Sequence, residues 1–235
     1  MEKAYRNISY LFISLLLISF TGFFQTYIKQ FPTFTQSVTA HHFHATLLVL
    51  WIALLIAQPL LIRARKVELH RLIGKASYGL VPLIVLSILM VTQVQYRRGI
   101  DQQSPVTLID YGLYMTFVDL VPFLTLYGLA MWYRRLPAIH MRYIIACSVI
   151  FFNPAFGRIN IIYLGMAPEQ GVLLSYVYCD SILLGFLIYD IVKHKPYRPY
   201  LYSLLFLLVC HSSLLYAPFW PVWHRVANSF AQTFF

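Results

Sequence analysis

Residues 40–62 read AHHFHATLLVLWIALLIAQPLLI, a run of 23 residues without a single Asp, Glu, Lys or Arg. As a helix rising about 1.5 Å per residue it is roughly 35 Å long, enough to cross a hydrocarbon core of about 30 Å. A strand reading fails, because the apolar residues follow one another without alternating with polar ones. Six more runs repeat the pattern, at 8–28, 73–94, 109–133, 140–164, 172–192 and 199–217. Composition points the same way. The chain is 60% apolar and 11% charged, against about 25% charged in a soluble domain. So few charges cannot cover so much apolar surface in water. The expected fold is therefore all-α, a polytopic bundle of seven transmembrane helices. It forms one domain over residues 1–235, with the lipid bilayer as its solvent.

The first run is preceded by basic residues, and Val38-Thr39-Ala40 resembles a leader cleavage site. The run is too long for a leader and ends too early before that site, so it is read as a retained helix. In the tail, residues 218–235, Trp223, Ala227, Phe230 and Phe234 recur at helical spacing. They predict a short interfacial helix, either lying on the outer surface or packed over the mouth of the bundle.

The net charge of +10 does not signal nucleic acid, because the basic residues lie in short clusters between spans. One set of helix ends carries Lys3, Arg6, Arg63, Arg65, Lys66, Arg71, Lys75, Arg134, Arg135, Arg142, Lys193, Lys195 and Arg198. The other carries only Lys29, Arg97, Arg98 and Arg225. The basic-rich set belongs in the cytoplasm, giving a cytoplasmic amino terminus and an external carboxyl terminus. Cys147, Cys179 and Cys210 all fall within apolar runs, with no CxxC spacing, and read as small core residues.

Charged groups inside a membrane persist where they pair or where they act. His44, Asp119, Arg158, Asp180 and His211 come from five different spans and fall at similar depth in the outer half. His44, Trp51 and Gln58 follow at intervals of seven and form one stripe along their helix. These seven residues are expected to line a ligand pocket, with His41 and His42 at its rim. The plainer expectation is an Arg158–Asp180 ion pair that ties two helices. An inner polar cluster comprises His70, Arg71, His140, Arg142 and Asp190, in which Arg71 or Arg142 bridges to Asp190.

Three chemistries fit such a pocket. A cation, an acid and an imidazole between apolar walls suit a small or lipid-like amphiphile. His41, His44, Asp180 and His211 offer a zinc set for a membrane hydrolase, although the last span carries one His and no HxxxH pair. The pairs His44/His211 and His70/His140 offer axial ligands for haem b, as in transmembrane electron-transfer cytochromes. Pro82, Pro122 and Pro154 lie within spans and can open a cavity. The last span holds no Lys for a retinal, and no P-loop, Rossmann glycine pattern or GxSxG occurs.

Taken together, His44-x6-Trp51-x6-Gln58, Leu69-His70-Arg71-x2-Gly74, His140-x-Arg142, Arg158, Asp180-x9-Asp190, Pro199 and Trp223 form a pattern. It resembles a widespread bacterial family of multi-pass inner-membrane proteins to which no activity is attached. The resemblance covers the second to seventh spans and the tail, and His211 and Asp119 lie outside it. It implies a bacterial inner-membrane location. A homo-oligomer, or an accessory role in a larger membrane complex, is compatible with all of these features.

Overall fold

A chain in hydrocarbon must satisfy its backbone hydrogen bonds within itself, and long apolar runs do so as helices. The computed structural model describes residues 5–35 and 37–235, and no strand occurs among them; Lys3 of the basic set lies outside the described residues. The helices are α1 Ser9–Phe24, α2 Thr39–Arg63, α3 Val67–Gly74, α4 Ser77–Asp101 and α5 Val106–Trp132. They continue with α6 Pro137–Val149, α7 Asn153–Arg158, α8 Pro168–Val192, α9 Arg198–Ser213 and α10 Pro221–Phe234. Among the described residues, six helical stretches are long and apolar enough to cross a membrane. The protein is a polytopic helical bundle. The first apolar run forms the shorter α1, of 16 residues.

Two local readings of the sequence change. α3 and α4 run on from Val67 to Asp101 as one stretch of 35 residues, so His70 and Arg71 sit on a helix rather than in a connection. At its far end the same stretch takes up residues 95–101, which the apolar pattern leaves in the longest loop. Polar residues continue a helix once it has emerged from lipid, so hydropathy ends before the helix does.

The stretch 137–163 is the centre of the bundle: 61% of its apolar window is buried, against 22–44% for the other five. It packs against α5, α9, α8 and α1. Around it the chain pairs α1 with α2, α2 with α4, α4 with α5, α5 with α9 and α9 with α8, leaving the ring weakly closed between α8 and α1. The central stretch is also broken. Ile150–Phe152 is a 3-10 turn, α7 follows, and Ile159–Tyr163 winds as a π-helix. Pro154, with no N–H to donate, sits at this break.

α10 packs back onto α5. Trp223 Nε1 donates to the Asp110 carbonyl at 3.0 Å, and His224 Nδ1 meets the Asp110 carboxylate at 2.6 Å. Ala227 and Ala231 are buried on its inner face, while Val222, Val226 and Phe234 are exposed. Trp223 and Phe230 both stack edge-on against Phe117 of α5.

α1 meets the central stretch with backbone almost touching backbone. A Cβ built on Gly22 would lie 2.6 Å from the Ala155 carbonyl oxygen and 2.8 Å from its Cα. Small residues of this kind let membrane helices approach closely. Gly79 faces open space. Gly22→Ala is therefore expected to lower stability by about 1–3 kcal/mol through overpacking, while Gly79→Ala leaves it unchanged or slightly higher. Unfolding of both variants in detergent micelles measures this. Equal stability of the two would show that α1 does not dock on Ala155.

Candidate functional site

Polar side chains in the bundle gather in two places. The first lies where α6, α8 and the segment before α1 meet. Arg142 and Asp190 are both fully buried. The guanidinium Nε donates to Asp190 Oδ2 at 2.5 Å and Nη2 to Oδ1 at 3.3 Å. Arg142 Nη1 donates to the Ala138 carbonyl at 2.7 Å. Tyr5 closes the group. Its hydroxyl donates to Asp190 Oδ1 at 2.6 Å, and its ring lies 5.0 Å from the Arg142 guanidinium carbon. Burial, and the carboxylate that it bonds, raise the Tyr5 pKa and keep its hydroxyl a donor. Of the two bridges that the sequence allows, Arg142–Asp190 forms; Arg71 is exposed on α3.

The second gathering lies part-way along the spans, on α5, α7, α8 and α9. Asp119 stands 13 residues into α5, about 20 Å from its start at 1.5 Å per residue. Asp180 and His211 lie about 18 and 20 Å from the starts of α8 and α9 by the same rise. His211 Nδ1 is 3.0 Å from the Asp180 carboxylate. Asn153, at the break in the central stretch, donates its Nδ2 to both Asp119 oxygens at 3.2 and 3.3 Å. The Ser175 hydroxyl donates to Asn153 Oδ1. The Tyr176 ring lies 4.4 Å from that of His211. Asp180 Oδ1 also lies 3.0 Å from His211 Nδ1, and the Tyr176 hydroxyl is set against Asp119 and Asn153.

The seven residues expected to line one pocket are divided among five places. Asp119, Asp180 and His211 come together as described. His44 Nδ1 meets Ser87 Oγ of α4 at 2.9 Å. Trp51 is 1% exposed within an aromatic core of Phe123, Tyr127 and Phe151, its Nε1 unpaired. Gln58 lies toward the basic-rich end of α2 against His70 and the Gly74 N–H.

Arg158 does not pair with Asp180. It donates to the Pro154 carbonyl at 3.0 Å and lies 4.1 Å from the centre of the Phe23 ring on α1. The reason is the geometry of α7. Asn153 and Gly157 face α8, whereas Ala155 and Arg158 face α1. Asp180 takes His211 instead, from the helix next to it.

The four-residue zinc set is likewise not assembled. Among the described residues no three His, Cys, Asp or Glu side chains are placed to hold a metal ion. α2 packs on α1 and α4, away from α8 and α9, so His41 and His44 stay apart from the Asp180–His211 pair. His41 accepts from the Val38 N–H at 3.1 Å. His44 and His211, the first pair offered for haem, lie on helices that do not pack closely on one another. At the basic-rich end, His140 Nδ1 lies 2.8 Å from the Ala130 carbonyl, and His70 meets Gln58.

Asn153, Ser175, Tyr176 and Tyr5 escape a reading that follows charge. A partial signal exists: Tyr176 and Asp180 are four apart, one face of one helix, and Asn153 precedes a proline inside an apolar run. Comparison with protein-family models, curated proteins and solved structures gave no match.

Removing one partner of a buried pair leaves the other charge uncompensated, which costs about 3–5 kcal/mol. Asp190→Ala is expected to destabilise by that amount, and Tyr5→Phe by about 1 kcal/mol for one hydrogen bond. Reversible unfolding in mixed micelles gives both numbers. A loss at Asp190→Ala no larger than at Tyr5→Phe would contradict the burial of the pair.

Proposed function

We propose that the protein is a seven-crossing bacterial inner-membrane protein, amino terminus in and carboxyl terminus out, that takes up and releases a proton at mid-membrane. The proposed site is Asp119, Asn153, Ser175, Tyr176, Asp180 and His211. The observation that carries this reading is two carboxylates, Asp119 and Asp180, gathered with a single imidazole, His211, inside a hydrogen-bonded group.

Charge balance favours a proton over an anion. Two carboxylates face one imidazole, and the Arg158 guanidinium lies on the other side of α7. A protonated His211 neutralises one carboxylate; the second is neutralised only by a further cation. Charged groups left unbalanced in a membrane are expensive, and chains of Asp, His and Tyr that relieve the cost by passing protons are a recurring solution. The Tyr176 ring packs 4.4 Å from that of His211, so a proton suits the packing here better than a bulkier cation. The break at Asn153 adds a mechanical element. Irregular turns within a membrane helix are where such proteins bind ions and where they bend.

The seventh crossing is α1, whose 16 residues span about 24 Å at 1.5 Å each. With α1 counted, the basic-rich ends all fall on one side. A reporter enzyme active only outside the cytoplasm is expected to be silent when fused after Lys66 and active when fused after Phe235. Activity at Lys66 would reverse the orientation.

Infrared difference spectra across a pH titration test the site itself. The wild-type protein in liposomes is expected to show a protonated-carboxyl band that changes with pH. Asp119→Asn and Asp180→Asn, with helicity checked by circular dichroism, should each remove or shift most of that band. A band untouched by both substitutions sinks the proposal.

A further inference from the structure

The ring of helices around the central stretch is weakly closed between α1 and α8, and a groove of about 410 Å³ occupies that opening. Its walls are Ile8 and Leu11 on one side and Ile182, Gly185 and Phe186 on the other, with Tyr5, Asn7 and Tyr189 toward the basic-rich end. The floor is already satisfied. Tyr5 donates to Asp190, and Asp190 is held by Arg142. Gly185 contributes to the opening, since a Cβ at that position would meet nothing within 4 Å.

The lining is mostly apolar over the length from Ile182 to Tyr189, about 10 Å along α8, which suits the hydrocarbon chain of a lipid. The mouth selects a headgroup. Arg6 lies between the groove residues Tyr5 and Asn7, and Lys193 is one turn beyond Tyr189. Both are exposed, and neither forms an ion pair among the described residues. Basic residues beside a gap between membrane helices hold anionic lipid headgroups.

We propose that this groove seats an acyl chain of an anionic phospholipid, with the lipid phosphate over Arg6 and Lys193. The proposal is independent of the proton site. It needs only that the lipid come from the leaflet at the basic-rich end.

The experiment uses the full chain, purified in detergent and titrated with mixed micelles of phosphatidylglycerol or of phosphatidylcholine. Bound lipid is counted by native mass spectrometry. Wild type is expected to prefer phosphatidylglycerol by about tenfold or more, at roughly fivefold per basic residue. The double variant Arg6→Ala/Lys193→Ala should bring the two lipids to parity. Gly185→Phe should remove the binding of both by filling the groove. Glycerol phosphate alone should not bind, since the chain supplies the apolar contact; binding of it at equal strength would overturn the lipid reading in favour of a phosphate site. A photoactivatable acyl chain on phosphatidylglycerol gives a readout that needs no variant: cross-links are expected within residues 5–11 and 182–189. Equal binding of the two lipids by wild type, or cross-links only elsewhere, refutes the proposal.

Discussion

The Arg142–Asp190 pair is the interaction on which the bundle depends. Both groups are shut off from lipid and water alike, and each has the other as its main compensation. The geometry is close to the two-point fork that a guanidinium and a carboxylate prefer. It joins the start of the central stretch to the end of α8, and Tyr5 extends it to the chain before α1. Three segments far apart in sequence are thereby fixed at one end of the membrane. A pair this deep stabilises little in itself, because desolvating two ions offsets their attraction. Its effect is on arrangement: any packing that parts the two leaves bare charge in hydrocarbon.

The central stretch carries that constraint to mid-membrane. Anchored at Arg142, it runs through regular helix to Val149, then tightens, breaks at Asn153-Pro154 and loosens into a π-turn. The break turns successive residues of α7 to opposite neighbours. Asn153 reaches Asp119 and Ser175, while Ala155 and Arg158 reach Gly22 and Phe23 of α1. The acidic character of the Asp119–Asp180 group follows from this division. The Arg158 guanidinium is turned away from it, and the imidazole of His211 stands as the counter-group.

Polar satisfaction also explains why the stripe of His44, Trp51 and Gln58 does not make a single lining. All three do face protein rather than lipid. They meet three different environments, the Ser87 hydroxyl, an aromatic core and the His70 backbone and ring, because α2 crosses the whole bundle and its neighbours change along its length. Residues on one face of a 25-residue helix share a direction but not a depth. A pocket needs both.

The sequence by itself determined what the bilayer demands. Apolar length set the helices, and low charge excluded a soluble fold. Asp190 and Arg142 were legible as a tie because each is costly alone. Which polar groups share a site was decided by tertiary structure. Pairing depends on which helices become neighbours, and hydropathy carries no record of that order. Asp180 had two candidate partners at similar depth, Arg158 and His211; the break at Asn153-Pro154 and the adjacency of α8 and α9 decided for His211. The neutral members, Asn153, Ser175 and Tyr176, were hidden for a related reason. A lone amide or hydroxyl costs too little in a membrane helix to stand out, and it becomes conspicuous only when packing sets it against a buried carboxylate.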